Sequence, residues 1–376
     1  MSHDPVKQFI DCIDRGDAQT VLAMLRVLPE LVNARHADCF GATALSHAVN
    51  REDRAMVDLL LDHGADIDLR SDWWAGNFGV LDGASDELSA HLLARGATLT
   101  PHAAARLGMI DELKRMLDAD PSLIDARGGD GQLPLHFART VEIAQLLLDR
   151  GAKIDVRDID HASTAAQWRV SDRPSVARFL VERGAEPDPF MFAMIGDVAR
   201  LADALRNESG GVNMRVTRQR FSAAPPAAGH IYIYTIGEGC TLLHAATNAD
   251  NVASVRWLLA NGADPNARGG YDDQTPLHGA AWNDAAEIAP LLIAGGADID
   301  ALSGSIHHAQ PLAWAIVGGA ERMAKLLLDA GAKLQPRDLE TAKAGARGEF
   351  RQFSKQRPLE AWVRIERLIA ASAGTG

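Results

Sequence analysis

The side chains best suited to chemistry fall in a few short polar segments. Residues 157–164, Arg157-Asp158-Ile159-Asp160-His161-Ala162-Ser163-Thr164, set a histidine beside carboxylates. Neighbouring carboxylates raise an imidazole's pKa and suit it to move protons. The same residue types also serve simply to hydrogen-bond a turn. Tyr271-Asp272-Asp273 and His307-His308 repeat the combination further along. His161 or His308 as acid or base, paired with Asp160 or Asp273, would suit a lyase, isomerase or hydrolase. Imidazoles with carboxylates can also take a divalent cation. No HxxH or HExxH spacing accompanies them, so the expectation is no metal and no cofactor.

A second set of residues reads as contact surface. Trp73 and Trp74 stand side by side in Ser71-Asp72-Trp73-Trp74-Ala75-Gly76, and paired aromatics in a turn either anchor a partner or pack on a neighbour. Asp158, Tyr271, Asp272, Trp282 and His307 join them as candidate binding residues. Near residues 212–236, Met214, Val216, Arg218 and Arg220 alternate with other residues, SAAPPAAG follows, and His230-Ile231-Tyr232-Ile233-Tyr234-Thr235 alternates again. Period two on both sides of a Pro/Gly turn predicts a long β-hairpin with Tyr232 and Tyr234 on one face. Such an arm would serve as a lid or as an exposed edge for a partner. Arg215, Arg218 and Arg220 would lend it a positive patch for an anionic group.

The elements that position these residues repeat. Gly-Ala follows a leucine-rich stretch at Gly64, Gly96, Gly151, Gly184, Gly262, Gly296 and Gly331, mostly at the roughly 33-residue period of a helix-turn-helix unit. A glycine there sits just past a helix end, where the chain enters the left-handed region. Each unit opens at a motif seen best in Thr275-Pro276-Leu277-His278, with Thr as N-cap and Pro at the first helical position. Leu133-Pro134-Leu135-His136, Thr241-Leu242-Leu243-His244 and Thr43-Ala44-Leu45-Ser46 are variants. A second unit type, as in GMIDELKRMLDADPSLIDAR at 108–127, ends without Gly-Ala.

This pattern resembles the ankyrin repeat family over roughly residues 6–335, in about ten units. The resemblance implies an all-α solenoid of antiparallel helix pairs with projecting β-turn fingers. It makes His136, His244 and His278 braces of the finger backbone rather than catalysts. Residues 1–335 are expected to form one solenoid and 336–376 a helical cap, since Leu359, Trp362, Val363, Ile365, Leu368 and Ile369 trace an amphipathic helix. Against this regular frame, the irregular fingers stand out. Asp273 and His308 occupy the place, two before the Thr position, where other units carry Gly41, Gly131 or Gly239, a place that favours positive φ. Two units, 78–88 and 133–143, lack about three residues between their helices.

Composition narrows the function. Across 376 residues the formal charge is −12 and 47% are hydrophobic. An acidic chain without clustered Lys and Arg is a poor nucleic-acid binder. Three dispersed cysteines, Cys12, Cys39 and Cys240, fit a reduced, cytoplasmic setting. No uncharged apolar run reaches the length of a membrane span. With no GxSxG, P-loop or dinucleotide fingerprint, the leading expectation is a binding protein for a protein partner at its concave face and fingers. The alternative is a small-molecule binder or acid–base enzyme built on the same fingers.

Overall fold

The computed structural model describes residues 4–373 apart from 207, 209, 223, 225 and 351–356. The chain packs into two compact units. The first comprises residues 1–185 with 223–229, the second 186–222 with 230–376.

In the first unit, Pro5–Arg15 pairs with Ala18–Val27, Ala44–Asn50 with Arg54–Asp62, Pro101–Leu107 with Ile110–Ala119, and Ala165–Arg169 with Pro174–Glu182. Each first helix starts at a side-chain cap that satisfies an otherwise orphaned amide. Thr43 Oγ1 accepts from Ser46 N at 3.1 Å and Thr100 Oγ1 from Ala103 N at 3.1 Å. Two pairs are abbreviated. A single 3-10 turn, Pro134–Phe137, precedes Val141–Asp149, and only turns precede Asp86–Ala94. These are the units short of about three residues, so the deletion removes the length a full first helix needs. Facing stripes close the core, including Phe9, Ile13, Leu45, Val57, Leu60 and Leu92, all buried.

In the second unit, Pro189–Ile195 pairs with Val198–Leu205, Leu242–Asn248 with Val252–Ala260, Pro276–Asn283 with Ala289–Ala294, and Pro311–Gly318 with Glu321–Asp329. Asp338–Ala346 and the amphipathic Leu359–Ala373 follow. The latter buries Trp362, Ile365 and Ile369, and Trp362 Nε1 donates to Val317 O at 3.3 Å.

The glycines of the seven Gly-Ala pairs all lie in the left-handed region, with φ from 87° at Gly262 to 102° at Gly96. The histidine braces recur with one geometry. His136 Nδ1 accepts from Leu133 N at 3.1 Å, His244 Nδ1 from Thr241 N at 3.1 Å and His278 Nδ1 from Thr275 N at 3.2 Å. Their Nε2 atoms reach the next finger, at Ser163 O, Gln274 O and Ala309 O respectively. Burial pushes all three imidazoles down to about 4, so they are neutral. At the degenerate position, Gln167 Oε1 accepts from Thr164 N at 3.0 Å. An amide oxygen thus supplies the acceptor that an imidazole supplies elsewhere.

The long β-hairpin expected at 212–236 does not form among the described residues. Val216 N donates to Cys240 O and Gly239 N to Val216 O, both at 2.8 Å, which closes only a short finger base. Residues 231–237 coil into a helical turn, with Thr235 Oγ1 donating to Ile231 O at 3.1 Å. The Ile/Tyr alternation misled because the turn buries Ile231, Tyr232 and Ile236 and exposes Tyr234, a pattern that alternation alone does not separate from a strand. Tyr232 and Tyr234 therefore do not share a face.

Candidate functional sites on the fingers

In the first unit the irregular fingers are linked through side chains. The Phe40 and Trp73 rings meet edge to face with centroids 4.5 Å apart, and Trp73 meets Trp74 at 6.0 Å. Trp73 Nε1 donates to Asp130 Oδ1 at 3.1 Å. Asp130 stands on the next finger in a tight turn, with φ 55°. Its other oxygen lies 3.6 Å from His161 Nε2, and Asp160 Oδ2 lies 3.7 Å from the same nitrogen. His161 Nδ1 contacts Gly229 O at 2.8 Å, and its ring meets Trp168 edge to face at 5.2 Å. Residues 226–229 thus rest on this finger, where Ala228 N also donates to Asp160 Oδ1 at 2.9 Å.

Asp158 is buried beneath. It accepts from the amides of Ser163 at 2.6 Å and His161 at 3.1 Å. Its carboxyl is nonetheless pushed up to about 6, chiefly by burial, against the pull of those amides and of His161. Burial would lower His161. The Asp130 carboxylate, the Gly229 carbonyl and the charge of Asp158 outweigh it and raise the imidazole to about 9. At neutral pH this ring is an imidazolium with both N–H groups directed at oxygen. It can hold Asp130, Asp160 and Gly229 together, but it offers no lone pair to a substrate proton. Asp130, Asp160 and His161 each bring a ligand atom within 4.8 Å of the others.

In the second unit the same residue types behave differently. Asp272 is buried and accepts from Ser303 Oγ at 2.7 Å, Ile306 N at 3.0 Å, His307 N at 3.2 Å and His307 Nδ1 at 2.9 Å. Burial acts to raise it, yet these donors hold its carboxyl below the usual carboxylate range. Asp273 and His308 take positive φ, 47° and 45°, as their glycine-like positions require. Both point outward. Asp273 Oδ2 lies 3.7 Å from Arg268 Nη1, and His308 contributes its backbone carbonyl to Arg337 at 2.6 Å. His307, Trp314 and Trp282 form an aromatic row with centroids 6.1 and 6.0 Å apart, and Trp282 is half-buried.

Tyr271 stands 82% exposed at its fingertip. It lines an open cleft of 490 Å³ with Tyr234, Ile233, Glu238 and Gln274. Tyr232 instead belongs to the core, its hydroxyl donating to Asp188 Oδ2 at 3.0 Å. The arginines are matched locally. Arg218 Nε meets Glu238 at 3.1 Å and Arg220 Nη1 meets Glu208 at 3.1 Å. Sequence reasoning missed Asp130, the residue that joins Trp73 to His161. Its setting in Gly128-Gly129-Asp130-Gly131 reads only as a turn.

Stacked helix pairs and histidine-braced fingers define a repeat protein. Models of the ankyrin repeat match residues 40–72 and 130–159, and a three-copy ankyrin model matches 243–338. These segments of the chain are ankyrin repeats. It is 24% identical over 348 residues to human Rabankyrin-5, an alignment that covers 80% of this chain and 27% of that protein. It is 23% identical over 276 residues to the Arabidopsis thaliana E3 ubiquitin-protein ligase KEG, covering 63% and 17%. The chain therefore spans well under a third of either relative. A solved human ASB11 ankyrin repeat domain aligns over 63% of the chain and all of that domain, at 21% identity and a TM-score of 0.37. Ankyrin repeats in general mediate protein–protein interaction. No described helix is long and apolar enough to cross a membrane.

Proposed function

We propose that the protein recognises a protein partner through the apolar tips of its fingers, using Phe40 and Trp74 in the first unit and Tyr271 in the second. The observation that carries this reading is the exposure of large rings at the fingertips. Phe40 is 59% and Trp74 44% exposed, while Trp73, Asp130 and Asp272 are spent on contacts between one finger and another. Exposed aromatics on a rigid support are the usual anchors of an interface, because burying them releases much water at little conformational cost. Neither Asp158 nor the Arg218 and Arg220 pairs are needed by this reading.

The acid–base alternative, on His161 with Asp160 or His308 with Asp273, is the weaker reading. A protonated His161 has no lone pair with which to act as a base, and on the other finger Asp273 lies 3.7 Å from Arg268 while His308 meets Arg337 through its backbone. The test is a comparison of stoichiometric partners recovered from native extract by the wild-type chain and by a Phe40→Ala/Trp74→Ala/Tyr271→Ala variant of unchanged thermal stability. Loss of a partner with the variant supports the reading, and an identical set of partners refutes it.

A further inference from the structure

The first finger carries a cluster that neither repeat packing nor the fingertip surface explains. His36, Cys39 and His47 each bring one ligand atom within 4.8 Å of the other two. His36 pairs with Ala42 at the finger base. The turn that follows is closed by Cys39 N and Gly41 N donating to His36 O, each at 3.1 Å. This closure brings the Cys39 side chain back toward His36. His47 comes from the helix Ala44–Asn50, one turn past its Thr43 cap.

Two features point to a ligand rather than to ordinary packing. His36 is 7% exposed, and both His36 Nδ1 and His47 Nε2 are buried without a hydrogen-bond partner among the described residues. Buried ring nitrogens are nearly always satisfied, so two orphans side by side need a common explanation. The second feature is Asp14, whose Oδ1 lies 3.0 Å from His47 Nδ1. A carboxylate that accepts the N–H of one ring nitrogen fixes the tautomer and leaves the other nitrogen as a lone pair aimed away from it, the usual outer support of a metal-bound histidine.

We propose that His36, Cys39 and His47 form a site for a zinc-type divalent cation. Two imidazole nitrogens and one thiolate sulfur are the donor set such an ion prefers, and three protein ligands leave a fourth position for water or an external group. The 4.8 Å envelope is within a side-chain rotation of the roughly 3.5 Å donor spacing of a tetrahedral zinc ion. Cys39 is a free thiol of intermediate exposure, so the ion has a route in. Binding exchanges the Cys39 S–H proton for the metal: an S–M bond forms, an S–H bond breaks, and one proton is released to solvent with no change of oxidation state. The cation would staple the first finger to the helix behind it, immediately beside the Phe40 tip.

The experiment is a Co(II) titration of the full chain, free of any histidine tag, followed by displacement with Zn(II). The expected result is one Co(II) per chain, with tetrahedral d–d absorption and a thiolate-to-metal charge-transfer band. Both should vanish on adding Zn(II). Cys39→Ser should abolish the charge-transfer band, and Asp14→Asn should weaken affinity roughly 10- to 100-fold. His36→Gln, which leaves the thiol intact, should lose the same spectrum and so guards against a Cys39→Ser variant that folds poorly. Absence of the tetrahedral and charge-transfer bands in the wild type overturns the proposal. So does a charge-transfer band that survives Cys39→Ser, or metal held only by water-like octahedral coordination.

Discussion

The fingers of the two units draw on the same residue types and put them to opposite uses. In the first unit, polar groups reach across fingers. Trp73 ties to Asp130, and Asp130 and Asp160 share His161. In the second, Asp272 gathers four donors, all of them from Ser303, Ile306 and His307 of the following finger. The first arrangement is held by a cation, the second by an anion. A titratable residue at a loop tip is therefore no guide to reactivity until its own hydrogen bonds are counted. Where they are saturated, what remains for a partner is the apolar ring beside it.

Several measurements would sharpen or break that contrast, and the largest effects should come from the braces beneath the fingers. His136, His244 and His278 fold with pKa values of about 4, below the unfolded value. Their contribution is full above the unfolded pKa of about 6.5 and is lost as pH falls through 4, about 3 kcal/mol for each. Two of the three lie in the second unit, so its amide protection, relative to the intrinsic exchange rate at each pH, should fall more on acidification. His278→Gln, copying the Gln167 brace, should flatten that acid dependence in chemical denaturation.

Asp272→Ala should come next, destabilising the second unit by about 3 kcal/mol, since it strips a buried carboxylate from donors left unpaired. An unchanged denaturation midpoint would show that the donors find water instead. Because its folded pKa is depressed, the wild-type contribution is present above the usual carboxylate pKa and lost on further acidification. His161 has the opposite sign. Its folded pKa of about 9 lies above the unfolded value, so its contribution is full below about pH 6.5 and is lost as pH rises through 9, about 2 kcal/mol after allowance for its partly exposed setting. His161→Gln should remove this alkaline slope, and persistence of the slope would mean that another group holds the finger. Trp74→Ala should have the smallest effect on stability, about 1 kcal/mol or less, because nearly half of the residue is exposed and its ring meets Trp73 only edge to face.

The repeat was legible because its signals are local and chemical. A left-handed turn needs glycine, as at Gly262, and an N-cap needs a hydroxyl, as at Thr43. The positive φ at Asp273 and His308 could likewise be inferred from register alone. The failures are all non-local. Tyr232 reads as half of an exposed stripe, yet its turn is set by packing and by Asp188, 44 residues away. Asp130 bridges Trp73, 57 residues before it, to His161, and no periodicity announces such a link. His36, Cys39 and His47 converge through a finger turn and a helix face, while in the sequence Cys39 is merely one of three scattered thiols.

The claim that the apolar tips, rather than the titratable residues, meet the partner is tested most directly by quantitative recovery of partners from native extract with Trp74→Ala and His161→Gln in parallel. Recovery of a stoichiometric protein at least tenfold lower with Trp74→Ala than with His161→Gln, at matched thermal stability, is what the fingertip surface predicts. Undiminished recovery with Trp74→Ala together with loss in the folded His161→Gln variant would contradict it.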